Sequence, residues 1–382
     1  MGINISKRAF IKSACFAAAG SVCIDPLSAS VAGISGKGSS PANDLWKWSK
    51  ECMHYEITPK GTRCLICPNA CVRMNGETTL CRNRVNYKGK LYTIAYGNPC
   101  AMHVDPIEKK PLYHFLPGTR SFSIATAGCN LACLNCQNWS ISQASPKETR
   151  NYSLMPEKVT EQAVSNNCRS ISYTYSEPIT FYEYVYDSSV IARRSGIKNV
   201  LVSNGYINEK PLHDLCQVMD AANIDLKSFD ENIYSKLNAG KLQPVLNSLK
   251  IFKQEGVWLE ITNLVIPGWT DNLEMIRKMC DWLYQNDFQD TPLHFSRFQP
   301  LYKLNHLPPT PVAVLEKAKA IALNVGLKFV YIGNVSGSSA ISTICPKCKK
   351  TLVERNGFSI VNNAIKNGNC SFCGTKIPGR WT

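Results

Sequence analysis

The sequence predicts an α/β fold, a partial (β/α) TIM-like barrel with a small cysteine-rich metal module at each end. Three observations predict it. From Arg120 onward, short β-rich runs alternate with longer helical patterns, which is typical of parallel βα units. Polar side chains follow the predicted strands, where such a barrel carries its functional groups. Cysteines cluster before, at the start of and after this alternation. A doubly wound open sheet is the alternative, but no Gly-x-Gly-x-x-Gly follows the first strand.

The composition indicates the number of domains, the use of the cysteines and the class of partner. A chain of 382 residues with 44% hydrophobic residues allows one large domain and one or two small ones. Its 18 cysteines fall in clusters, which indicates metal ligation rather than a disulfide framework. Metal-bound thiolates would reduce the formal net charge of +15. No basic stripe with interleaved aromatics is present, so we expect a protein partner or an acidic substrate rather than nucleic acid.

Residues 1–43 are predicted to be a signal-like leader and linker that precede the fold. Ser6-Lys7-Arg8-Ala9-Phe10 begins a stretch that resembles a twin-arginine export signal with Lys in place of the first Arg. The alternative is a basic, disordered start. The apolar run at 13–24 is too short for a membrane span, so no transmembrane segment is expected.

The N-terminal module, residues 44–118, carries four cysteines spaced C-x2-C-x3-C-x9-C: Cys64, Cys67, Cys71 and Cys81. This spacing suits one tetrahedral site, either zinc or a second cluster. A structural metal is favoured because the module has little core of its own. Cys52 and Cys100 are spare thiols that could replace a ligand. The stretch 105–118 either covers the barrel mouth or is a packed connector.

The barrel, residues 119–336, opens with a loop that carries Cys129, Cys133 and Cys136 at C-x3-C-x2-C spacing. A tight loop after a strand can bring three thiolates to one iron–sulfur cube and leave the fourth iron without a protein ligand. A zinc knuckle would need a fourth ligand, and none stands at close range in the sequence. The spacing resembles the cluster motif of the radical S-adenosylmethionine (SAM) enzymes. It departs from that motif at Asn135, where the family usually has an aromatic residue, but the departure removes no ligand.

The remaining barrel elements follow in order. The predicted strands are 120–126, 169–175, 198–203, 222–226, 257–265, 293–298 and 327–332. The predicted helices lie near 157–166, 179–194, 210–220, 243–255, 272–286 and 312–324.

Candidate ligand-binding residues stand at the ends of three of these strands. Glu177 follows the second strand and can accept bonds from a ligand ammonium. Ser203 and Asn204 follow the third and offer small hydrogen-bonding groups. Asp225 and Lys227 share one face of the fourth strand, where charges inside a barrel need a partner, and they could simply be an internal salt bridge. His294 is interpreted as a core histidine rather than a base.

The C-terminal module, residues 337–382, contains two cysteine knuckles. Cys345 and Cys348 form the first, and Cys370 and Cys373 form the second. This is a zinc-ribbon or rubredoxin-like signature. Structural zinc is favoured, and a redox iron site feeding the cluster is the alternative.

From Cys64 to the end, the chain resembles the AmmeMemoRadiSam-system radical SAM enzymes, relatives of the activating enzymes of pyruvate formate-lyase. The matching segments are Cys64-Leu-Ile-Cys67-Pro68, Asp105-Pro-Ile-Glu-Lys-Lys-Pro-Leu, His114-Phe-Leu-Pro-Gly118, Cys136-Gln-Asn-Trp139, Tyr173-Thr-Tyr, His294-Phe-Ser-Arg297-Phe and Tyr331-Ile-Gly-Asn334-Val335. The resemblance implies a barrel of the radical SAM type.

The resemblance also implies the cofactors. A [4Fe–4S] cluster would be held by Cys129, Cys133 and Cys136, and SAM would chelate its open iron. Glu177 would bind the SAM ammonium, although the glycines that usually precede it are absent. Asn204, beside Ser203, lies where the ribose is held. Asp225 and Lys227 resemble the Asp-x-Lys of glycyl-radical activases, which holds the methionyl end of SAM or a substrate peptide.

Reductive cleavage of SAM to a 5′-deoxyadenosyl radical for hydrogen abstraction is the implied chemistry. It needs a low-potential electron donor such as flavodoxin or ferredoxin, which favours the cytoplasm over export through the leader. The substrate is left open between a glycine of a partner protein, as for an activase, and a small molecule or protein side chain of the Memo-associated system. A metal-binding scaffold without SAM chemistry is the remaining alternative.

Overall fold

The computed structural model describes residues 45–382, so the predicted leader and linker at 1–43 lie outside the described residues. Across residues 45–382, no helix is both long enough and apolar enough to cross a membrane.

The N-terminal module consists of two small antiparallel sheets. A 3-10 turn at Leu45–Trp48 precedes six short strands. These are β1 (Lys50–Glu51), β2 (Tyr55–Thr58), β3 (Gly61–Cys64), β4 (Val72–Arg73), β5 (Arg84–Tyr87) and β6 (Lys90–Thr93). The strand orders are β1-β6-β5 and β2-β3-β4.

An eight-stranded sheet forms the centre of the molecule. Its strands are β7 (Ala101–Pro106), β8 (Arg120–Ala125), β9 (Ser170–Tyr173), β10 (Lys198–Ser203), β11 (Ala221–Asp225), β12 (Trp258–Val265), β13 (Leu293–Arg297) and β14 (Val330–Gly333). They lie in chain order, with β8 to β14 parallel and β7 antiparallel to β8. The edge strands β7 and β14 are not paired with each other, so the sheet stays open. The predicted α/β fold with an incomplete barrel is confirmed.

Helices connect the parallel strands. They are α1 (Trp139–Ser142), α2 (Pro156–Ser165), α3 (Tyr182–Arg194), α4 (Glu209–Cys216), α5 (Glu231–Asn238), α6 (Leu242–Gln254), α7 (Leu273–Gln285) and α8 (Val312–Val325). Helix α5 was not predicted. Asp230 caps it by accepting a bond from the Ile233 amide at 2.9 Å, and Ala239 ends it in the left-handed region at φ 56°.

One 3-10 turn lies in the segment that leads into the barrel, two lie in loops of the barrel, and one lies at the start of the C-terminal module. They are Ile107–Lys109, Pro178–Phe181, Tyr302–Leu304 and Ser339–Ile341. The C-terminal module follows with β15 (Thr343–Ile344), β16 (Thr351–Asn356), β17 (Ser359–Asn363), β18 (Ile365–Lys366) and β19 (Asn369–Cys370).

The two faces of the central sheet differ in polarity. Ile124, Ile224 and Ile261 point to the helices and belong to the main apolar core. The alternate positions face inward and carry polar groups that bond across strands. The Ser121 and Ser172 hydroxyls are 2.6 Å apart, for example. Much of the interior is therefore polar, unlike a barrel packed with Val, Ile and Leu, although the inward-facing Val200 and Ala221 form an apolar cluster with the segment 107–118.

The segment 107–118 fills this interior near the beginnings of the strands. The backbone amides of Tyr113 and His114 donate to the Glu260 carboxylate at 2.9 and 2.7 Å, and His114 Nε2 lies 2.5 Å from Tyr331 Oη. The Asn223 side chain donates to the Pro111 carbonyl at 2.8 Å. The strands end, and the barrel opens, at the other edge of the sheet. Of the two sequence-based alternatives for this stretch, the packed connector is the one observed.

Burial of His114 predicts an acid-sensitive fold. Removal from water lowers the pKa of His114 to about 4, against about 6.5 in an unfolded chain. Between these values the unfolded state binds the proton and the folded state does not, so stability falls as pH drops from 6.5 to 4, by up to about 3 kcal/mol. Denaturant unfolding of the wild type and His114→Gln at pH 7, 6 and 5 checks this. We expect a shallower pH slope for the variant, and an equal slope would contradict the assignment.

Candidate active site

The cysteine loop begins directly after β8 and is fixed by a glycine. Gly128 has φ +99°, and a Cβ there would lie 2.5 Å from the Cys81 carbonyl oxygen. Its amide also donates to the Ile141 carbonyl at 2.9 Å. Because only glycine combines this conformation with so close an approach, the loop is held tightly against the N-terminal module.

The three thiols of the loop are surrounded by hydrogen-bond donors. The Leu131 amide lies 3.4 Å from Cys129 Sγ, and the Asn238 side-chain amide lies 3.2 Å from Cys133 Sγ. Burial raises the pKa of Cys129 and of Cys136, so both need a positive partner to ionise. The three sulfurs do not all lie within 4.8 Å of one another, as ligands of one ion would. The donor set and the spacing both suit an anionic cluster.

Glu177 is buried beside this loop, and its carboxyl group has both hydrogen-bond donors and a raised pKa. Its side chain accepts bonds from Ser203 Oγ at 2.7 Å and from the Asn204 amide at 2.8 Å. Burial raises the pKa of Glu177 to about 7, because loss of water outweighs these donated bonds. A ligand cation would therefore be a strong partner for this carboxylate.

Asn204 joins the carboxylate to the cysteine loop. Its side-chain amide donates to Asn130 Oδ1 at 2.8 Å and lies 3.8 Å from Cys129 Sγ. The structure therefore brings the predicted residues Glu177, Ser203 and Asn204 together next to the first cysteine. Asn130, which links them, was not singled out in the sequence.

Asp225 and Lys227 form the predicted ion pair at 2.7 Å. Burial opposes the charge on Lys227, but Asp225 and the neighbouring Cys133 outweigh it and raise the pKa of Lys227. Asp225 keeps 37% of its side chain exposed, so the pair faces the open end of the barrel. The pairing seen here agrees with the salt-bridge alternative and leaves a ligand-binding role untested.

Comparisons with known proteins identify the type of enzyme. The Radical SAM superfamily profile matches residues 123–283, which run from β8 into α7 and include all three loop cysteines. An uncharacterized protein of Methanocaldococcus jannaschii is 45% identical over 331 residues, covering 86% of this chain and 98% of that protein. The chain belongs to the radical SAM superfamily. The sequence-based prediction of a radical SAM enzyme is thereby confirmed, while membership of the AmmeMemoRadiSam group stays a prediction.

Two further proteins that are similar to this radical SAM chain are named for an activity. Pyruvate formate-lyase 1-activating enzyme of Escherichia coli K12 is 25% identical over 231 residues, covering 56% of this chain and 93% of that enzyme. The structure of a radical SAM methyltransferase from Sphaerobacter thermophilus covers 60% of this chain and 70% of its own, at 12% identity and a TM-score of 0.46.

A second polar network in this radical SAM protein lies deeper in the barrel. Lys110 Nζ donates to Asp105 Oδ2 at 2.5 Å, and the Tyr175 hydroxyl donates to the same carboxylate. Burial lowers the pKa of Lys110 to about 8, against the opposing effect of Asp105. The sequence motif containing Asp105 and Lys110 was noticed, but nothing in it indicated that the two side chains meet Tyr175.

The departure at Asn135 leaves a buried polar atom. Within residues 45–382, Asn135 Oδ1 has no hydrogen-bond partner, and neither do Asn238 Oδ1 or Tyr234 Oη. Unsatisfied polar atoms beside the loop thiols are consistent with a bound group there.

The C-terminal cysteines of the radical SAM chain form a compact group. The ligand atoms of Cys345, Cys348, Cys370 and Cys373 all lie within 4.8 Å of one another, with two sulfur–sulfur distances of 3.7 Å. Four sulfurs about 2.3 Å from one ion would lie about 3.8 Å apart, so the group fits one tetrahedral zinc or iron.

This C-terminal group lies at the end of the barrel opposite the loop. Cys345 and Cys370 pack with Tyr113 and Phe329, near the beginning of β14. The Arg355 guanidinium also donates to the Tyr113 carbonyl at 2.7 Å. A parallel strand's beginning and end lie at opposite edges of its sheet, and the cysteine loop follows the end of β8. The position favours a structural metal over a redox iron site that feeds the loop.

Proposed function

We propose that this radical SAM enzyme holds a [4Fe–4S] cluster on Cys129, Cys133 and Cys136 and binds SAM at the open iron. Cluster and SAM together would supply reductive cleavage of SAM to methionine and a 5′-deoxyadenosyl radical, which abstracts hydrogen from the substrate. The observation that carries the proposal is the convergence of Glu177, Ser203 and Asn204 beside Cys129.

The residues of the chain bind and orient the ligand in this proposal. The Glu177 carboxylate would accept bonds from the ammonium of SAM, and Asn204 would hold the ribose of SAM next to the loop. Lys227, paired with Asp225 at the open end, offers its ammonium to a carboxylate. The inward-facing polar side chains below would orient the substrate and exclude bulk water.

Glu177→Gln should weaken SAM binding by about 10–100-fold, because a hydrogen bond to a charged partner is worth about 1.5–3 kcal/mol. The wild type should bind more tightly as pH rises from 6 to 8, since the carboxylate form grows as pH passes its pKa of about 7. Calorimetric titration of both proteins with SAM checks this. Equal affinities, or the same pH profile in the variant, would remove Glu177 from the site.

Activation of a glycyl-radical enzyme is a second candidate for the use of the radical. It is supported by the similarity to pyruvate formate-lyase 1-activating enzyme and by the Asp225–Lys227 pair at the open end. Modification of a small molecule or of a protein in the Memo-associated system is the other option. An organic radical detected by electron paramagnetic resonance (EPR) on a partner protein would favour the activase.

We also propose that the C-terminal cysteines hold structural zinc and that a flavodoxin or ferredoxin supplies the electron. The sulfur spacing, which fits one ion, and the position opposite the loop support structural zinc. Reductive cleavage of SAM needs a low-potential electron, which supports the flavodoxin or ferredoxin donor.

Reductive SAM cleavage is the experiment that tests the proposed function. The full chain is reconstituted anaerobically with iron and sulfide, reduced, given SAM and assayed for 5′-deoxyadenosine. We expect product that requires both the reductant and the cluster. A fully loaded cluster that gives no product, and whose EPR signal SAM does not change, would favour the scaffold alternative.

A further inference from the structure

The cysteine sets of this chain differ in how far apart their sulfurs lie. Across residues 45–382, the C-terminal group is the only one in which three or more ligand atoms lie within 4.8 Å of one another. The loop cysteines at 129–136 are more widely spaced, and so are the four cysteines of the N-terminal module. The N-terminal set therefore shares the wide spacing of the loop and lacks the spacing of a single-ion site.

The N-terminal thiols nevertheless point to one region. Strand β3 pairs with β4 with Arg63 opposite Val72, and the Cys64 amide donates to the Cys71 carbonyl at 3.0 Å. Cys64 and Cys71 therefore stand opposite each other on one face, with Cys67 in the loop between them. Cys81 belongs to the same module: its Sγ lies 3.2 Å from Thr79 Oγ1, and the Thr79 amide donates to the Arg84 carbonyl at 2.8 Å. Cys64, Cys71 and Cys81 are buried, with exposures of 6%, 8% and 8%.

Two buried groups next to these thiols lack hydrogen-bond partners within the described part of the chain. Thr62 Oγ1 lies on the same face of β3 as Cys64, and Thr62 is fully buried. Arg84 Nε is also unpaired, although the other guanidinium nitrogens bond to Glu183 and Met53. Arg84 is 1% exposed, and Thr79 connects its backbone to the Cys81 thiol. A buried N–H and a buried hydroxyl without acceptors indicate an anionic group at this position.

We propose that Cys64, Cys67, Cys71 and Cys81 bind a second iron–sulfur cluster, of the four-iron class, rather than one zinc ion. Each thiolate of such a cluster binds a different iron, so its ligands spread farther than those of a single ion. The bridging sulfides supply acceptors for the unpaired donors of Thr62 and Arg84. The site directly adjoins the cysteine loop, because the Asn69 side chain donates to the Asn130 carbonyl at 2.8 Å, next to Cys129.

Acid-labile sulfide distinguishes this proposal from zinc, since neither a zinc site nor a single iron contains it. The triple variant Cys129→Ala/Cys133→Ala/Cys136→Ala lacks the loop ligands and is reconstituted with iron and sulfide. We expect about four iron and four sulfide per chain to remain. Adding Cys67→Ser and Cys81→Ser to the triple variant should remove this iron and sulfide. Adding Cys216→Ala instead, which changes a buried cysteine outside every set, should leave the iron and sulfide in place. Because this test contains no SAM, its outcome is independent of the proposed function.

Wild-type counts keep the proposal open to refutation if a variant fails to fold. The wild type should contain about eight sulfides per chain, and Mössbauer spectra should show two distinct cluster populations. About four sulfides per wild-type chain that a Cys67→Ser/Cys81→Ser variant retains would overturn the second cluster. So would a triple variant that is folded by circular dichroism but holds no sulfide.

Discussion

Cys133→Ala is expected to reduce 5′-deoxyadenosine formation to the background of the assay. Cys133 is buried, is one of only three thiols in the loop, and receives a bond from Asn238 at 3.2 Å. Loss of a residue that merely orients a metal ligand typically costs about 10–100-fold, so loss of the ligand itself should cost more than about 100-fold. The measurement is the yield of 5′-deoxyadenosine per reconstituted chain under reducing conditions.

The control must separate the loss of a ligand from the loss of a buried cysteine. Cys168→Ala changes another buried cysteine, whose thiol lies 3.8 Å from the Asn166 carbonyl and far from the loop in sequence. It should retain wild-type activity. Asn238→Ala removes only the donated bond, so its activity should lie between the activities of Cys133→Ala and Cys168→Ala. Full activity of Cys133→Ala would refute the assignment of the loop as the cluster site.

The sequence predicted the barrel well because each strand carries a local signal. All seven predicted strands are present, and β10 matches 198–203 at both ends. Their apolar runs and the intervening helical periodicity depend on neighbours in sequence. Strand β7 was missed because Ala101–Pro106 is antiparallel and contains His103 and Asp105, whose inward-facing roles depend on distant residues.

The candidate site was predicted in its residue types but not in its contacts. Glu177, Ser203 and Asn204 were chosen because parallel strands end at one edge of a sheet, and that rule holds without knowledge of side-chain positions. Asn130 and Asn238 were missed because an asparagine in a loop or at a helix end has no pattern of its own. Their bonds to Asn204 and to Cys133 arise only when separate segments meet.

The cysteine spacing in sequence could not distinguish the kinds of metal site. The N-terminal and C-terminal sets both contain C-x2-C, yet within residues 45–382 only the C-terminal set brings all four of its sulfurs within 4.8 Å of one another. The difference is in three-dimensional spacing, which the number of intervening residues does not determine.

Breaking the buried ion pair between Arg84 and Glu183 is expected to be the most destabilising single change outside the cysteines. The Arg84 guanidinium donates to both carboxylate oxygens at 2.9 and 2.8 Å, with side-chain exposures of 1% and 0%. The pair joins β5 of the N-terminal module to α3 of the barrel. Removing one partner leaves an uncompensated buried charge, so Arg84→Met or Glu183→Gln should cost about 3–5 kcal/mol in unfolding free energy.

Chemical denaturation of the single variants and of Arg84→Met/Glu183→Gln tests this. The double variant should lose much less than the sum of the singles, because it leaves no charge unpaired. Lys158→Met, which breaks an exposed pair with Glu161, should cost no more than about 1 kcal/mol. Additive losses in the double variant would contradict the coupling.

The same variants should expose the cysteine loop, because Asn83 links the ion pair to it. The Asn83 side chain, adjacent to Arg84, donates to the Ala127 carbonyl at 2.6 Å and to Thr180 Oγ1 at 3.0 Å. If the module shields the loop, a reconstituted loop cluster should bleach faster in air in Arg84→Met than in Lys158→Met. The comparison is made without denaturant, at a temperature where both variants remain folded. Equal bleaching rates together with the expected loss of stability would mean that the module supports the barrel without covering the loop.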